Sequence, residues 1–226
     1  SGTFYTRTSG GFPATESFTV TLWARWPSYT TYRSVFDLSN GNANQQNAVT
    51  FYLDATDVRF YDARAGTVTD DVWFSSGTIA AGNWVFLAAV ITTSGHTRYY
   101  AAAGAGSLTS GSNTNAGARA ALTTLLIGKD ISGTTWGGDV AAVKIWDREL
   151  TQLEIEAEWL TVEVQGATNV HAHHKLLTPS TADDSGNGRT LTLDSSGGAP
   201  STSAAPQPPF TDVAAAGNPW HAYAQQ

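Results

Sequence analysis

The sequence predicts an all-β protein: an antiparallel two-sheet jelly-roll sandwich with one short surface helix and a Pro-rich C-terminal extension. Three observations lead there. Short β-rich runs recur along the chain, Gly, Asn, Ser and Thr turns separate them, and only one segment shows helical spacing. With 226 residues, 41% of them hydrophobic, the chain can bury a sizeable core. It contains no cysteine, so neither disulfides nor a thiolate metal site holds it together.

The first strong strand is FTVTLWARW, residues 18–26, which places Phe18, Val20, Leu22, Ala24 and Trp26 on one face. Further runs follow at 33–38, 48–54, 57–63, 83–92, 96–103, 124–128 and 139–146. A helix is expected at 151–160, because Thr151 followed by Glu154 forms a capping box. Leu153, Ala157 and Leu160 then share a face, with Ile155 and Trp159 beside it, and its Glu residues read as the solvated face. After Gly166 the composition changes: six of the eight prolines lie between Pro179 and Pro219, and 199–210 reads as a polyproline-like connector. Within the tail, 189–193 is a plausible further strand. The expected division is therefore a sandwich over 1–165 and an extension over 166–226 that packs on it or on a neighbouring subunit.

Charge excludes several functions. Residues 1–148 balance ten Lys/Arg against ten Asp/Glu, whereas 149–164 carry five Glu and no base. A neutral body with no basic stripe cannot neutralise a phosphate backbone, so no nucleic acid partner is expected. No apolar run approaches the roughly 20 residues that span a bilayer, so no membrane insertion is expected. The chain lacks methionine, and Ser1 fits a trimmed initiator, a cleaved leader or a tag scar equally.

The stretch from Thr124 to Leu160 runs TLLIGKD, ISGTTWGG, then DVAAVKIWDRELTQLEIEAEWL. It resembles the closing signature of the laminin-G-like, concanavalin-A-like lectin/glucanase superfamily. SFTVTLWARW resembles that family's first core strand and GNWVFLAAVI its central Trp strand, so the likeness covers about residues 4–160. DDSGNG, at 183–188, resembles a segment that normally precedes the first core strand but here follows the helix. The tail then either folds back to supply an edge strand or donates one to a neighbour.

The resemblance implies enzymes, lectins and structural modules alike. Its glucanases use paired carboxylates from an E-x-D-x-x-E run, and none exists here. There is no G-x-S-x-G elbow, and Asp70–Asp71 and Asp183–Asp184 are adjacent residues that point apart on a strand. A non-enzymatic protein is expected. His171, His173 and His174 are assigned a solvated or packing role rather than a metal site. Calcium is common in the family, but Ala141 and Ala142 replace the acidic pair of the closing motif, and DDSGNG is itself a good turn sequence. No cofactor is expected.

Sugar binding calls for exposed aromatics on positioned loops. Trp136, in a loop of small residues, is the first candidate, followed by Tyr29 and Tyr32, with Asp130 and Asn40 as polar partners; Trp84 and Trp146 are assigned to packing. The composition, rich in Thr, Ser, Gly and Ala and poor in Lys, suits a virion surface or an extracellular setting. The leading expectation is a phage virion accessory protein, of decoration or tail-associated type, that binds glycans or a particle surface as a homo-oligomer. A free lectin module of a secreted protein is the alternative, and an unusual glycoside hydrolase the third.

Overall fold

The computed structural model describes residues 4–194, apart from 9–11, 14–15, 27, 29–31, 43–46, 66, 76, 116, 167 and 177–179. Thirteen strands and one helix follow in chain order: β1 (Phe4–Arg7), β2 (Phe18–Arg25), β3 (Arg33–Ser39), β4 (Ala48–Asp54), β5 (Asp57–Arg64), β6 (Thr67–Ser75), β7 (Val85–Thr92), β8 (Gly95–Ala102), β9 (Thr109–Thr114), β10 (Thr124–Ile127), β11 (Asp139–Trp146), α1 (Gln152–Trp159), β12 (Val170–His174) and β13 (Thr192–Asp194). They form two antiparallel sheets. The first runs β13-β1-β10-β3-β4-β5-β6 and the second β12-β11-β2-β7-β8-β9. The connector at 199–210 lies outside the described residues.

Alternation builds the main core. Phe18, Val20, Leu22 and Ala24 of β2 meet Val49, Phe51 and Leu53 of β4 and Phe60 of β5 between the sheets. The sequence predicts one buried face for β2, yet seven of its eight residues are buried. The reason is a second apolar layer. Trp23, Phe86, Ala88, Val90 and Trp146, on the outer face of the second sheet, pack under Ile155 and Trp159 of α1. The segments bearing Leu108, Val162 and Val164 close around them.

Helix α1 starts where the capping box requires: Thr151 accepts from the Glu154 amide while the Glu154 carboxylate accepts from the Thr151 amide. Its inner face differs from expectation. Leu153 is 67% exposed, and the buried residues are Ile155, Glu158 and Trp159. Glu158 turns inward because Lys144 of β11 meets it at 2.7 Å, with both side chains about 1% exposed. The Lys144 ammonium also donates to the Thr161 and Glu163 carbonyls, and the second Glu158 oxygen accepts the Gln165 and Gly166 amides. The buried pair is therefore fully hydrogen-bonded.

The tail completes both sheets. β12 pairs with β11 in one and β13 pairs with β1 in the other. The 183–188 turn links these two edges. Asp183 accepts the His173, Ser185 and Arg189 amides and the Ser185 hydroxyl, and together these donors hold its carboxyl down to about 2 against the burial that would raise it.

Candidate functional site

The outer face of the first sheet opens toward β5 and β6: Leu126, Asp37, Thr50 and Tyr52 on it are buried, whereas Arg59 and Tyr61 are half-buried and Asp70 and Val72 exposed. Val49, Phe51 and Phe60 point into the main core, so their neighbours along each strand point out. Register aligns these outward residues into rows. One runs Leu126, Asp37, Thr50, Tyr61 and Asp70 across β10, β3, β4, β5 and β6; a second runs Tyr52, Arg59 and Val72. At the approach to β3, Tyr32 is 38% exposed and lies 4.7 Å, centroid to centroid, from Tyr52. The Tyr52 hydroxyl donates to Asp70 at 2.7 Å, and Arg59 donates to both Asp70 oxygens. Tyr52 loses its proton only far above the usual phenol range, because it is buried and its partner is a carboxylate. Hydrogen bonds to Asp70 raise the Arg59 pKa. The result is one exposed ring, Tyr32, resting on the buried Tyr52 ring, with Asp70 and Arg59 locked in place beside exposed Val68 and Val72 on the edge strand.

The structure buries two of the sequence-derived site residues. Trp136 is only 4% exposed: it packs edge-on to Trp26 at 6.0 Å, and its indole N–H donates to the Asp139 carbonyl. Its loop is locally small, but the Trp136 amide bonds to the Gly128 carbonyl and Lys129 bridges Thr135, folding the loop so that the indole enters the core. Gly138 makes room for this, since a Cβ there would sit 1.9 Å from the Arg25 carbonyl oxygen. Asp130 is 1% exposed and closes its own loop, accepting the Ser132 hydroxyl and the Thr134 amide. Asn40 is half-buried and caps a turn through the Asn42 amide. Tyr29 lies outside the described residues, and Tyr32 stays exposed. Trp84 and Trp146 are buried as packing residues.

Other charged clusters are structural. Asp37 is fully buried, and burial and the nearby charge of Asp130 push it up to about 6. With both carboxyls closed off, no sugar ring reaches this pair. Asp62 is also fully buried and accepts from Arg64 and Arg119, while His96 sits between Asp62 and Asp71. Burial acts to raise the Asp62 pKa, but the His96 hydrogen bond and the two guanidinium groups bring it down to about 2. Arg64 reaches on to the Thr92, Thr93 and Gly95 carbonyls, so the cluster clasps the two sheets together. Among the described residues no group of three or more His, Asp or Glu is arranged to hold a metal ion.

The three neighbouring histidines are buried rather than solvated. His171 donates to Asp147, His173 to the Val162 carbonyl and His174 to the Ala182 carbonyl. Burial lowers all three pKa values. The DDSGNG oxygens do not suit calcium either. Asp184 accepts the Lys175 amide, and the Asn187 side-chain NH₂ points at the Val170 and His171 carbonyls. Ala142 lies at φ 48° in a break of β11 register, its amide bonded to the Lys175 carbonyl.

The fold is that of a lectin/glucanase-like β-sandwich. The sequence model of the concanavalin A-like lectin/glucanases superfamily matches residues 1–156, and the chain belongs to that superfamily. Solved structures with this fold include the full-length tailspike protein 2 of Escherichia coli O157:H7 bacteriophage CAB120, at 13% identity and TM-score 0.58, over 76% of this chain and 25% of that one. Domains LG4-5 of the mouse laminin alpha1 chain share it at 13% identity and TM-score 0.50, over 67% and 42% of the two chains. The native heptameric SAP-like pentraxin of Limulus polyphemus does so at 17% identity and TM-score 0.52, over 85% and 88%. The chain thus spans a quarter of the tailspike, under half of the laminin fragment and most of the pentraxin. At these identities the likeness is one of fold. Among curated proteins, none matches the sequence. No described helix is long and apolar enough to cross a membrane.

Proposed function

We propose that this chain is a non-catalytic glycan-recognition module that works on an exposed surface, as a virion accessory protein of decoration or tail-associated type. The observation that carries the reading is the exposed Tyr32 ring, which lies against the buried Tyr52 ring beside an Asp70 that fixes both Tyr52 and Arg59. A sugar ring stacks on an exposed aromatic face while preorganised hydroxyl, guanidinium and carboxylate groups meet its hydroxyls. The carboxylates around this ring pair, Asp54, Asp57 and Asp70, converge on Arg59 instead of facing each other across a cleft, which supports binding over hydrolysis. The composition, poor in Lys and rich in Thr, Ser, Gly and Ala, supports an extracellular or virion-surface setting. The fold's presence in a phage tailspike fits the same setting.

The test is glycan-array binding by the full chain and by Tyr32→Ala and Arg59→Ala, with solution mass measured on the same samples. The expected result is binding to a defined glycan, weakened about tenfold or more by either substitution, as loss of a central anchor does. A chain that binds no glycan, or binds equally well without Tyr32, overturns the Tyr32 site. A strictly monomeric chain overturns the homo-oligomeric virion part of the reading and favours a free lectin module.

A further inference from the structure

The two sheets end in four edge strands, β13 and β6 on one and β12 and β9 on the other. Three of them are closed to further pairing. β13 has three residues, and its Asp194 carboxylate is bound by Lys129. β12 lies under the 183–188 turn: the His173 amide donates to Asp183, the His173 carbonyl accepts the Asp184 amide, and the Asn187 side chain takes the Val170 and His171 carbonyls. β6 sets Asp70 and Asp71 side by side near its middle, and its register with β5 breaks at Val58 and Arg59. Charges and bulges are the usual means of keeping an edge from pairing.

β9 has none of these protections. Its sequence, TSGSNT, carries no charge and no proline, its pairing with β8 runs unbroken from Thr109 to Thr114, and five of its six residues are exposed. One bond fixes which of its backbone groups face outward. The Asn115 amide donates to the Ser94 carbonyl, so alternation turns Asn113, Gly111 and Thr109 toward β8 and Ser110, Ser112 and Thr114 toward the open side. The Thr114 amide agrees, since the Asn113 side chain takes it. Ser110 and Ser112 thus present an N–H and a C=O each along the free edge, and no described group accepts either amide.

We propose that β9 is a self-association edge, through which two copies of this chain pair antiparallel about Gly111 into one sheet that runs across both molecules. On such a two-fold a strand meets its own reversed copy, so any charge would face a like charge; a strand without charge is complementary to itself. Ser110 then exchanges both backbone bonds with the partner's Ser112, and Ser112 with the partner's Ser110. Gly111 puts no side chain at the axis. Arg98 lies over it and is already held by Asp71 at 2.6 Å. Ser112 also shares a hydroxyl contact with Thr97 at 3.0 Å, and hydroxyl pairs of this kind extend across the new strand pair. Each chain offers one such edge among the described residues, so assembly stops at the dimer. This interface rests on the homo-oligomeric part of the proposed function and is independent of glycan binding at Tyr32.

The experiment is sedimentation velocity on the full chain over about a hundredfold range of concentration, since a dimer forms by mass action. The proteins are the wild type, Ser112→Pro and, as a control at the exposed leucine of α1, Leu153→Lys. Proline removes an outward amide that β8 does not use, so β9 keeps its own pairing. The expected result is a monomer–dimer equilibrium whose dissociation constant rises about tenfold or more in Ser112→Pro, from the loss of one strand bond per copy, and is unchanged in Leu153→Lys. A cross-link serves if Ser112→Pro fails to fold. The chain has no cysteine, so Ser110→Cys/Ser112→Cys is expected to give a covalent dimer under mild oxidation and no larger species. A wild type that stays monomeric overturns both this edge and the homo-oligomer. An oligomer that Ser112→Pro leaves intact, that Leu153→Lys breaks, or that the two cysteines do not join overturns the edge alone.

Discussion

Replacing Lys144 with methionine tests how α1 is held to the sandwich. The side chain lengths are similar, so the change removes the ammonium group with little loss of packing. Three hydrogen bonds go with it: 2.7 Å to Glu158, 3.0 Å to the Thr161 carbonyl and 2.6 Å to the Glu163 carbonyl. Glu158, about 1% exposed, then keeps a buried charge with only the Gln165 and Gly166 amides to stabilise it. Breaking one partner out of a buried pair costs about 3–5 kcal/mol, because the remaining charge is uncompensated. For a domain of this size, each kcal/mol shifts Tm by roughly 2–4 °C, which predicts a drop of about 10 °C. Urea unfolding followed by tryptophan fluorescence reads the change as a lower midpoint with an unchanged slope. Glu158→Gln keeps an acceptor for the two amides but turns its NH₂ toward the buried Lys144 ammonium, so a comparable loss is expected. A Lys144→Met protein within about 1 kcal/mol of wild type would refute the assignment of α1 docking to this pair.

Other predictions follow from the same contacts. Trp136→Ala opens a cavity beside Trp26 and is expected to cost about 3–5 kcal/mol of stability, measured by thermal or urea unfolding; an unchanged midpoint would return Trp136 to the surface. Gly138→Ala forces a Cβ to within 1.9 Å of the Arg25 carbonyl oxygen and is expected to yield insoluble or unfolded protein on expression. In an Asp37→Asn background, which removes the opposing proton uptake of that buried carboxyl at about 6, stability should also fall in two acid steps when urea midpoints are compared at pH 8, 6, 5 and 3. His171, His173 and His174 have folded pKa values below the ordinary 6.5, so the unfolded chain takes up protons first; their contribution is complete above about pH 6.5 and declines below it. Asp62, at about 2 against an ordinary 3.8, contributes about 2 kcal/mol that is intact above pH 3.8 and disappears as pH falls toward 2. A midpoint flat from pH 8 to 5 would contradict the burial of the three imidazoles.

Strand runs and capping chemistry were legible in the sequence because they are local. The alternation of FTVTLWARW and the Thr151–Glu154 box need no distant partner, and both occur where they were expected. The likeness between the closing segment and the laminin-G-like pattern carried the superfamily, since strand order and spacing persist when identity is low. β6 and β9 carry too little apolar alternation to be seen: TVTDDVWFS and TSGSNT are edge strands whose residues mostly face solvent.

What only the tertiary structure decided is which side chains are hidden, and by what. Trp136 has small neighbours in sequence, yet Trp26, 110 residues away, buries it. Glu158 reads as one more solvated glutamate until Lys144 on β11 claims it. Tyr52, Arg59, Tyr61 and Asp70 come together only once β4, β5 and β6 pair in register, and β1 gains its outer partner only because the tail returns to it as β13. Local propensity is encoded within a few residues, whereas exposure and charge pairing depend on contacts between segments far apart in the chain, and those exist only after the sheets have closed.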